Sequence, residues 1–244
     1  MDYKHIYYPE SRFGGFTDID GTIVFYSRVN ALLDETCIVL DFGCGRGTYY
    51  KDPIHFRRNL RILRGKVKKV IGLDIDEQAS TNPYIDEFMT LKSTKWDIAD
   101  ETVDMCVADN VIEHLREPEI FFSECARVLK TGGHLCIRAP NAFSYIAIAS
   151  RIVPNRLHAK ILSRIQAGRE ECDVFPTYYR CNTIGKLDQM MGKYGFSSVV
   201  YGYEAEPSYL GFSRAAYFLG YLHQKVSPSR LHAAIFAFGR RTRQ

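Results

Sequence analysis

The chain has no apolar run near the roughly 20 residues needed to cross a bilayer, so no segment reads as a membrane span. The opening Met1-Asp-Tyr-Lys-His5 lacks the basic-then-apolar layout of a secretory signal. Seven cysteines, an odd number with no C-x-x-C spacing, offer no disulfide framework. Cys106, Cys125 and Cys136 fall in segments that read as strand or helix, where a free thiol packs as a small apolar group. We therefore expect a reduced, cytoplasmic protein. No metal-ligand cluster is evident, and we expect no bound metal. The excess of one charge over the other is small too: a net charge of +4 gives no compositional case for nucleic acid. Repeats and low-complexity linkers are missing. At 244 residues, 46% hydrophobic and 25% charged, the chain suits one α/β domain with additions.

What it does have is Ile38-Val-Leu-Asp-Phe-Gly-Cys-Gly-Arg-Gly47. An apolar run enters Asp41 as a buried strand would. Gly43, Gly45 and Gly47 then let backbone approach a ligand with no Cβ in the way. The dinucleotide fingerprint G-x-G-x-x-G would need a glycine at position 48, where Thr48 stands. Val70-Ile-Gly-Leu-Asp-Ile75 is a second apolar strand ending in an acid, where α/β nucleotide-binding folds hold ribose hydroxyls. Register favours Asp74 over Asp76 for that role. Asp76 then reads as a helix N-cap with Glu77 in the first turn. Val103, Met105 and Val107 alternate as in a strand leading to Asp109-Asn-Val-Ile-Glu-His114. Phe121, Cys125, Val128 and Leu129 recur at helical spacing, and Gly132 and Gly133 should end that helix in a left-handed turn.

These motifs, in this order over residues 20–141, resemble those of class I S-adenosylmethionine-dependent methyltransferases. The resemblance implies an α/β fold: a Rossmann-like seven-stranded sheet with helices on both faces, here with an α-helical C-terminal insertion. It implies S-adenosyl-L-methionine as cofactor, contacted by Asp41, Gly43, Cys44, Gly45 and Gly47. Asp74 would hold the ribose, with Ile75 along the adenine, and Asp109 and Asn110 would follow the fourth strand. Two departures stand out. The family usually has an acid after the third strand to accept from the adenine amino group. Lys92 or Ser93 falls there, and Asp97, beside the only tryptophan, Trp96, is the nearest candidate. The first crossover is also long, about thirty residues from Gly43 to Asp74 against about twenty in the compact unit. The surplus, residues 49–69, is rich in charge.

We expect a single domain over 1–244. Residues 1–34 form an N-terminal cover and leading helix, and residues 35–141 the cofactor-binding core. Residues 142–182 and 206–228 form an acceptor-side lid, and residues 195–205 and 231–240 the last, antiparallel strand pair. Helices are expected over 20–34, over 142–165 with a break near Pro154, from Thr183 to Tyr194 with Gly195 as stop, and from Ser213 to Lys225. Strands are expected over Val199–Tyr203 and Leu231–Phe238. Asp18-Ile-Asp-Gly-Thr22 matches the D-x-D-G-T of haloacid-dehalogenase-type phosphatases. No buried strand precedes it, so we read a turn with Asp20 as N-cap.

Methyl transfer to a hydroxyl needs the acceptor held in line and its proton removed. His114 reads as base or acceptor contact, with a helix residue bonded within the fold as the plainer alternative; Glu113 is equally placed. Residues 169–182 read as an acceptor loop, offering Tyr178, Tyr179 and Arg180, or as an ordinary solvated connection. Arg57, Arg58, Arg61, Arg64, Lys66, Lys68 and Lys69 read as a solvated helix side. Arg151, Arg156, Lys160 and Arg164 among apolar neighbours could rest on anionic lipid or pack inward. Tyr209, Phe212, Tyr217, Phe218 and Tyr221 favour an acceptor with an apolar part. We expect O-methylation of a small-molecule, glycan or lipid-linked acceptor, as in the broad group that includes ubiquinone-pathway and bacterial sugar O-methyltransferases. The rivals are a non-catalytic S-adenosylmethionine-binding protein, an NAD-linked oxidoreductase, disfavoured by Thr48, and a nucleic-acid methyltransferase. The last is not expected, because Asp109-Asn-Val-Ile112 replaces an N-P-P-Y-type tetrapeptide. Oligomeric state is not legible.

Overall fold

A computed structural model describes residues 3–152 and 175–242. The strands β1 (Ile38–Phe42), β2 (Lys69–Asp74), β3 (Glu87–Thr90), β4 (Val103–Asp109) and β5 (Leu129–Pro140) pair in parallel. Antiparallel to β5 and between it and β6 (Phe196–Tyr203) runs β7 (Ala234–Arg241). The sheet order is β3-β2-β1-β4-β5-β7-β6, the expected seven-stranded α/β arrangement. The described helices are α1 (Lys4–Tyr7), α2 (Gly21–Ala31), α3 (His55–Arg61), α4 (Pro118–Val128), α5 (Tyr145–Ile152), α6 (Ile184–Lys193) and α7 (Arg214–Val226).

Alternation along the strands builds a core on each face of the sheet. Val39, Val70, Met105 and Val107 pack with Phe25, Tyr26 and Val29 of α2. Leu40, Phe42, Leu73 and Cys106 point the other way, to Phe121, Phe122 and Cys125 of α4 and Leu187 and Met191 of α6. Each large side chain so buried contributes about 1.5–3 kcal/mol. Local signals set the helix ends. The Asp20 carboxylate accepts from the Thr22 and Ile23 amides at 3.0 Å, which makes the D-x-D-G-T segment the expected N-cap. Thr183 caps α6, and Gly195, at φ 79°, follows its last turn.

Three expectations need correction. First, Gly132 and Gly133 do not end α4. The helix stops at Val128 because Leu129 already pairs with Val103 in the sheet. The glycines lie in an irregularity of β5, where the register jumps from Val103↔Leu129 to Met105↔His134. Second, Leu231 sits in a single 3-10 turn before β7, held by the Asn141 side-chain amide donating to the Arg230 and His232 carbonyls at 2.9 Å. Third, most aromatics of the 206–228 insertion face the N-terminal segment. Tyr217 stacks on Tyr7 at 5.6 Å, and Tyr221 meets Tyr7 and Tyr8 at 5.1 and 5.6 Å. That docking accounts for them without an acceptor. The two expected lid segments do touch, since the Tyr145 ring of α5 meets the His223 ring of α7 at 5.0 Å. The break near Pro154 and the basic positions 156, 160 and 164 lie outside the described residues.

After the neighbouring parallel strands β1 and β4 the chain turns to opposite sides of the sheet, to β2 and to β5, the point where open α/β sheets form a crevice at the carboxyl ends of their strands.

Candidate functional site

A cleft of about 430 Å³ occupies that crevice. The turn after β1 supplies Asp41, Gly43, Cys44, Gly45 and Gly47; β2 supplies Asp74 and Ile75; the end of β4 supplies Asp109, Asn110 and His114. Asp97 is not brought there. Its neighbour Trp96 is buried against Phe42 at 5.2 Å, which leaves Asp97 on the exposed side of that turn. Leu91, directly after β3, lines the cleft instead.

The three glycines differ in kind. All have left-handed backbone, with φ of 70°, 52° and 68°. A Cβ on Gly43 would collide with Val111, and one on Gly47 with Asn82. A Cβ on Gly45 would meet nothing within 4 Å. Gly43 and Gly47 are thus required by the protein's own packing, and only Gly45 faces open space.

The two acids differ in their partners. Asp74 Oδ2 accepts from the Gly45 amide and Oδ1 from the Asp76 amide, each at 2.9 Å. Both oxygens keep a further lone pair. Asp76 caps the next turn through the Gln78 amide at 3.0 Å and pairs with Arg46 at 2.9 Å. It is engaged outside the cleft.

Below the glycine turn lies a buried charged group. Arg138 grips Asp109 with two bonds of 2.6 Å, and the Tyr26 hydroxyl donates to it at 3.0 Å. Burial alone would raise the Asp109 carboxyl; the Arg138 charge and hydrogen bonds, with Arg61 and Tyr26, outweigh it and hold it below the usual range. Asp41 has no such partner. Burial, with the Asp109 and Asp74 charges, pushes its carboxyl up to about 7 against the pull of Arg61. Asp109, a predicted cofactor contact, is therefore largely engaged within the fold.

His114 sits in a 3-10 turn, Ile112–His114, and its Nδ1 lies 2.9 Å from the Pro176 carbonyl oxygen. A carbonyl can only accept, so Nδ1 carries a proton, while Nε2 lies 3.8 Å from the Glu113 carboxylate. The Tyr178 and Tyr179 amides donate to the Glu113 carbonyl at 2.7 and 3.2 Å, pinning the loop to the same turn. Tyr179 lines a second cleft. Tyr178 and Arg180 are exposed and line neither cleft.

The second cleft, about 390 Å³, meets the first at Asn110. Its walls include Ser144, Tyr145, Tyr203, Glu204, Glu206 and Tyr209. Burial raises the Glu204 carboxyl to about 7 and raises Glu206 as well. The arginines there are already paired: Arg57 with Asp20 and Asp52, and Arg138 with Asp109.

The basic crossover is exposed at Arg64, Lys66 and Lys68, as expected of a solvated face, and several of its side chains find partners at the surface. Arg64 pairs with Asp86, Lys69 with Glu87, and Lys66 bonds Asn30 and the Asn59 carbonyl. Arg61 turns into the first cleft, its guanidinium 4.5 Å from the Tyr49 ring. Reading the sequence missed Arg61, Tyr49, Tyr26 and Arg138. For the first two, the surplus length of the crossover was the available signal. Among the described residues no three metal-ligating side chains gather, and no helix is long and apolar enough to cross a membrane.

Residues 40–137 match a family described as a methyltransferase domain. Two mycobacterial proteins, each named a probable S-adenosylmethionine-dependent methyltransferase, align over 112 residues, 44% of this chain. The protein from Mycobacterium tuberculosis is 34% identical and that from Mycolicibacterium smegmatis 33%. The matched stretch covers 37% and 39% of those proteins, so the chain spans well under half the length of the relatives it matches. In three dimensions, a chain of the Haloferax volcanii complex containing the Trm112 methyltransferase activator aligns with a TM-score of 0.59. It is 16% identical, with 92% of this chain and 91% of that one covered. A SAM-dependent methyltransferase from Archaeoglobus fulgidus gives 0.56 at 15% identity, over 95% and 97% of the two chains. The [4+2]-cyclase SpnF gives 0.55 at 16%, over 90% and 80%. At such identities the likeness shows the fold alone. Residues 40–137 are thus similar to a methyltransferase domain, the relatives that share the stretch are named for S-adenosylmethionine dependence, and the seven-stranded sheet agrees with that fold.

Proposed function

We propose that the protein transfers a methyl group from S-adenosylmethionine to a hydroxyl of a small-molecule, glycan or lipid-linked acceptor. The observation that carries this is the pairing of Asp74 with Gly45. An acid with spare lone pairs at the end of β2 stands beside a glycine whose missing Cβ opens onto the cleft. Asp74 would accept from both ribose hydroxyls, with Ile75 and Leu91 flanking the adenine. Asp41, negative above about pH 7, would face the cofactor's ammonium group. When bound, the cofactor supplies a sulfonium-activated methyl group.

The acceptor would enter the second cleft and meet the methyl group near Asn110, which lines both clefts. Paired arginines and buried carboxyls there disfavour an anionic acceptor, while Ser144, Tyr145 and Tyr209 suit a hydroxyl-bearing one. His114, its Nδ1 held by the Pro176 carbonyl, would take the hydroxyl proton at Nε2 when the ring is neutral. Pairing of Arg57, Arg64 and Lys69 with carboxylates neutralises much of the crossover's charge, which argues against a nucleic-acid acceptor.

The test is calorimetry with S-adenosylmethionine and with NAD on the intact protein and Asp74→Ala. Sulfonium binding weakened about 10- to 100-fold by the substitution, the range of charge-assisted hydrogen bonds, supports the reading. Binding of NAD instead would overturn it. Labelled-methyl transfer to hydroxyl-bearing acceptors then separates turnover from binding alone. The SpnF likeness gives that step its point, because the same fold occurs in a protein named a cyclase.

A further inference from the structure

Arg61 is anomalous among the arginines around the clefts. Arg46, Arg57 and Arg138 each hold a carboxylate through a fork of hydrogen bonds at 2.6–3.1 Å. Arg61 Nε, in contrast, is buried and has no hydrogen-bond partner. Its ion pair with Asp109 is long, 3.8 Å, and Asp109 is already satisfied by Arg138 and Tyr26. The guanidinium is fixed by the Tyr49 ring at 4.5 Å and the Tyr26 ring at 5.7 Å, both of which also line the first cleft. Burying an unsatisfied donor of a charged group costs free energy, and a planar fork held against aromatic rings is pre-organised for a carboxylate.

The position in the cleft selects the ligand atom. Asp74 and Ile75 mark one part of the cleft, where the adenosine part of the cofactor would lie. Arg61 lies with Asp41 and Asp109 below the glycine turn, and its charge acts on both acids. A zwitterionic amino-acid group placed there would set its ammonium against Asp41 and its carboxylate against Arg61. From this geometry we infer that Arg61, carried on the lengthened first crossover, is the subsite for the α-carboxylate of the cofactor's methionine part. The inference rests on the reading that the first cleft holds S-adenosylmethionine, and it assigns to this chain a contact that the four sequence motifs do not contain.

The test compares two ligands on two proteins by calorimetry: S-adenosylmethionine and its decarboxylated form, each titrated into the unaltered protein and into Arg61→Met. Methionine keeps the apolar stem over Tyr49 and removes the fork. The unaltered protein should prefer the carboxylated ligand by about 10- to 100-fold, the range of a charge-assisted pair, and Arg61→Met should abolish that preference while binding the decarboxylated ligand within about threefold. Equal losses for both ligands would make Arg61 a wall of the cleft and overturn the subsite. An unchanged preference in the variant would place the carboxylate elsewhere and overturn it too. If the unaltered protein binds neither ligand, the cofactor reading itself fails, and the subsite with it. Arg61→Lys, which keeps charge but not the fork, should retain only part of the preference.

Discussion

The Gly45 amide donates to the Asp74 carboxylate at 2.9 Å, so the glycine turn after β1 and the acid ending β2 are joined through the protein itself. One bond sets the height of the loop over the ribose position and orients the acid. The neighbouring Asp76 amide holds the other oxygen. A ligand meeting this pair finds its acceptors already positioned and need not order them.

Gly45→Ala should bind S-adenosylmethionine at least 10-fold more weakly while melting within a few degrees of the unaltered protein. Its Cβ would enter open cleft, at a backbone cost of about 1 kcal/mol for left-handed φ. Gly43→Ala should instead lower the melting temperature markedly, because its Cβ collides with Val111. Thermal melts and calorimetry on both variants check the contrast. Equal behaviour would mean that the turn does not divide its glycines between ligand and packing.

Asp41→Asn should stabilise the ligand-free protein at pH 8 and weaken cofactor binding. Burial raises this carboxyl from 3.8 to about 7, so the folded state favours the protonated acid. Stability from that preference is fully present below pH 3.8 and is lost as pH rises to about 7. The ionised residue therefore costs the fold up to about 4 kcal/mol above that window. The variant's gain should vanish near pH 4. Cofactor affinity of the unaltered protein should rise between pH 6 and 8 as Asp41 ionises, and that rise should be absent in Asp41→Asn. A variant that melts lower at pH 8 and binds normally would contradict both halves.

His114→Ala should reduce turnover about 10²- to 10⁴-fold, the contribution of a general base, with cofactor affinity changed less than threefold. The Nδ1 contact to Pro176 also anchors the 175–182 loop, so the pH profile is the deciding readout. Loss of an acidic limb in the turnover profile marks a base. A profile of unchanged shape with raised acceptor KM would assign His114 to anchoring the loop.

Much of the cofactor side was legible because its signals are local. Period-two alternation in Val39–Phe42 and Val103–Val107 places those residues on opposite faces whatever the partner. Asp74 was preferred to Asp76 because the apolar run places Asp74 at the strand's end, while Asp76 falls two residues beyond it, where the cap of the next turn belongs. The D-x-D-G-T segment was read as an N-cap because a cap needs only amides two and three residues onward.

What only the tertiary structure decided depends on residues distant in the chain. Three glycines at equal spacing look alike until Val111 and Asn82 arrive from other elements and leave space over Gly45 alone. Arg61 belongs to a run of basic residues that reads as a solvated face. Its neighbours find carboxylates or carbonyls elsewhere, and it is held instead between Tyr26 and Tyr49. Trp96 sinks against Phe42 and so strands Asp97 outside, while Tyr217 and Tyr221 meet Tyr7 and Tyr8 from the opposite end of the chain. Backbone pattern follows from sequence neighbours, but which side chain is left without a partner at the cleft is fixed only when all other pairings have formed.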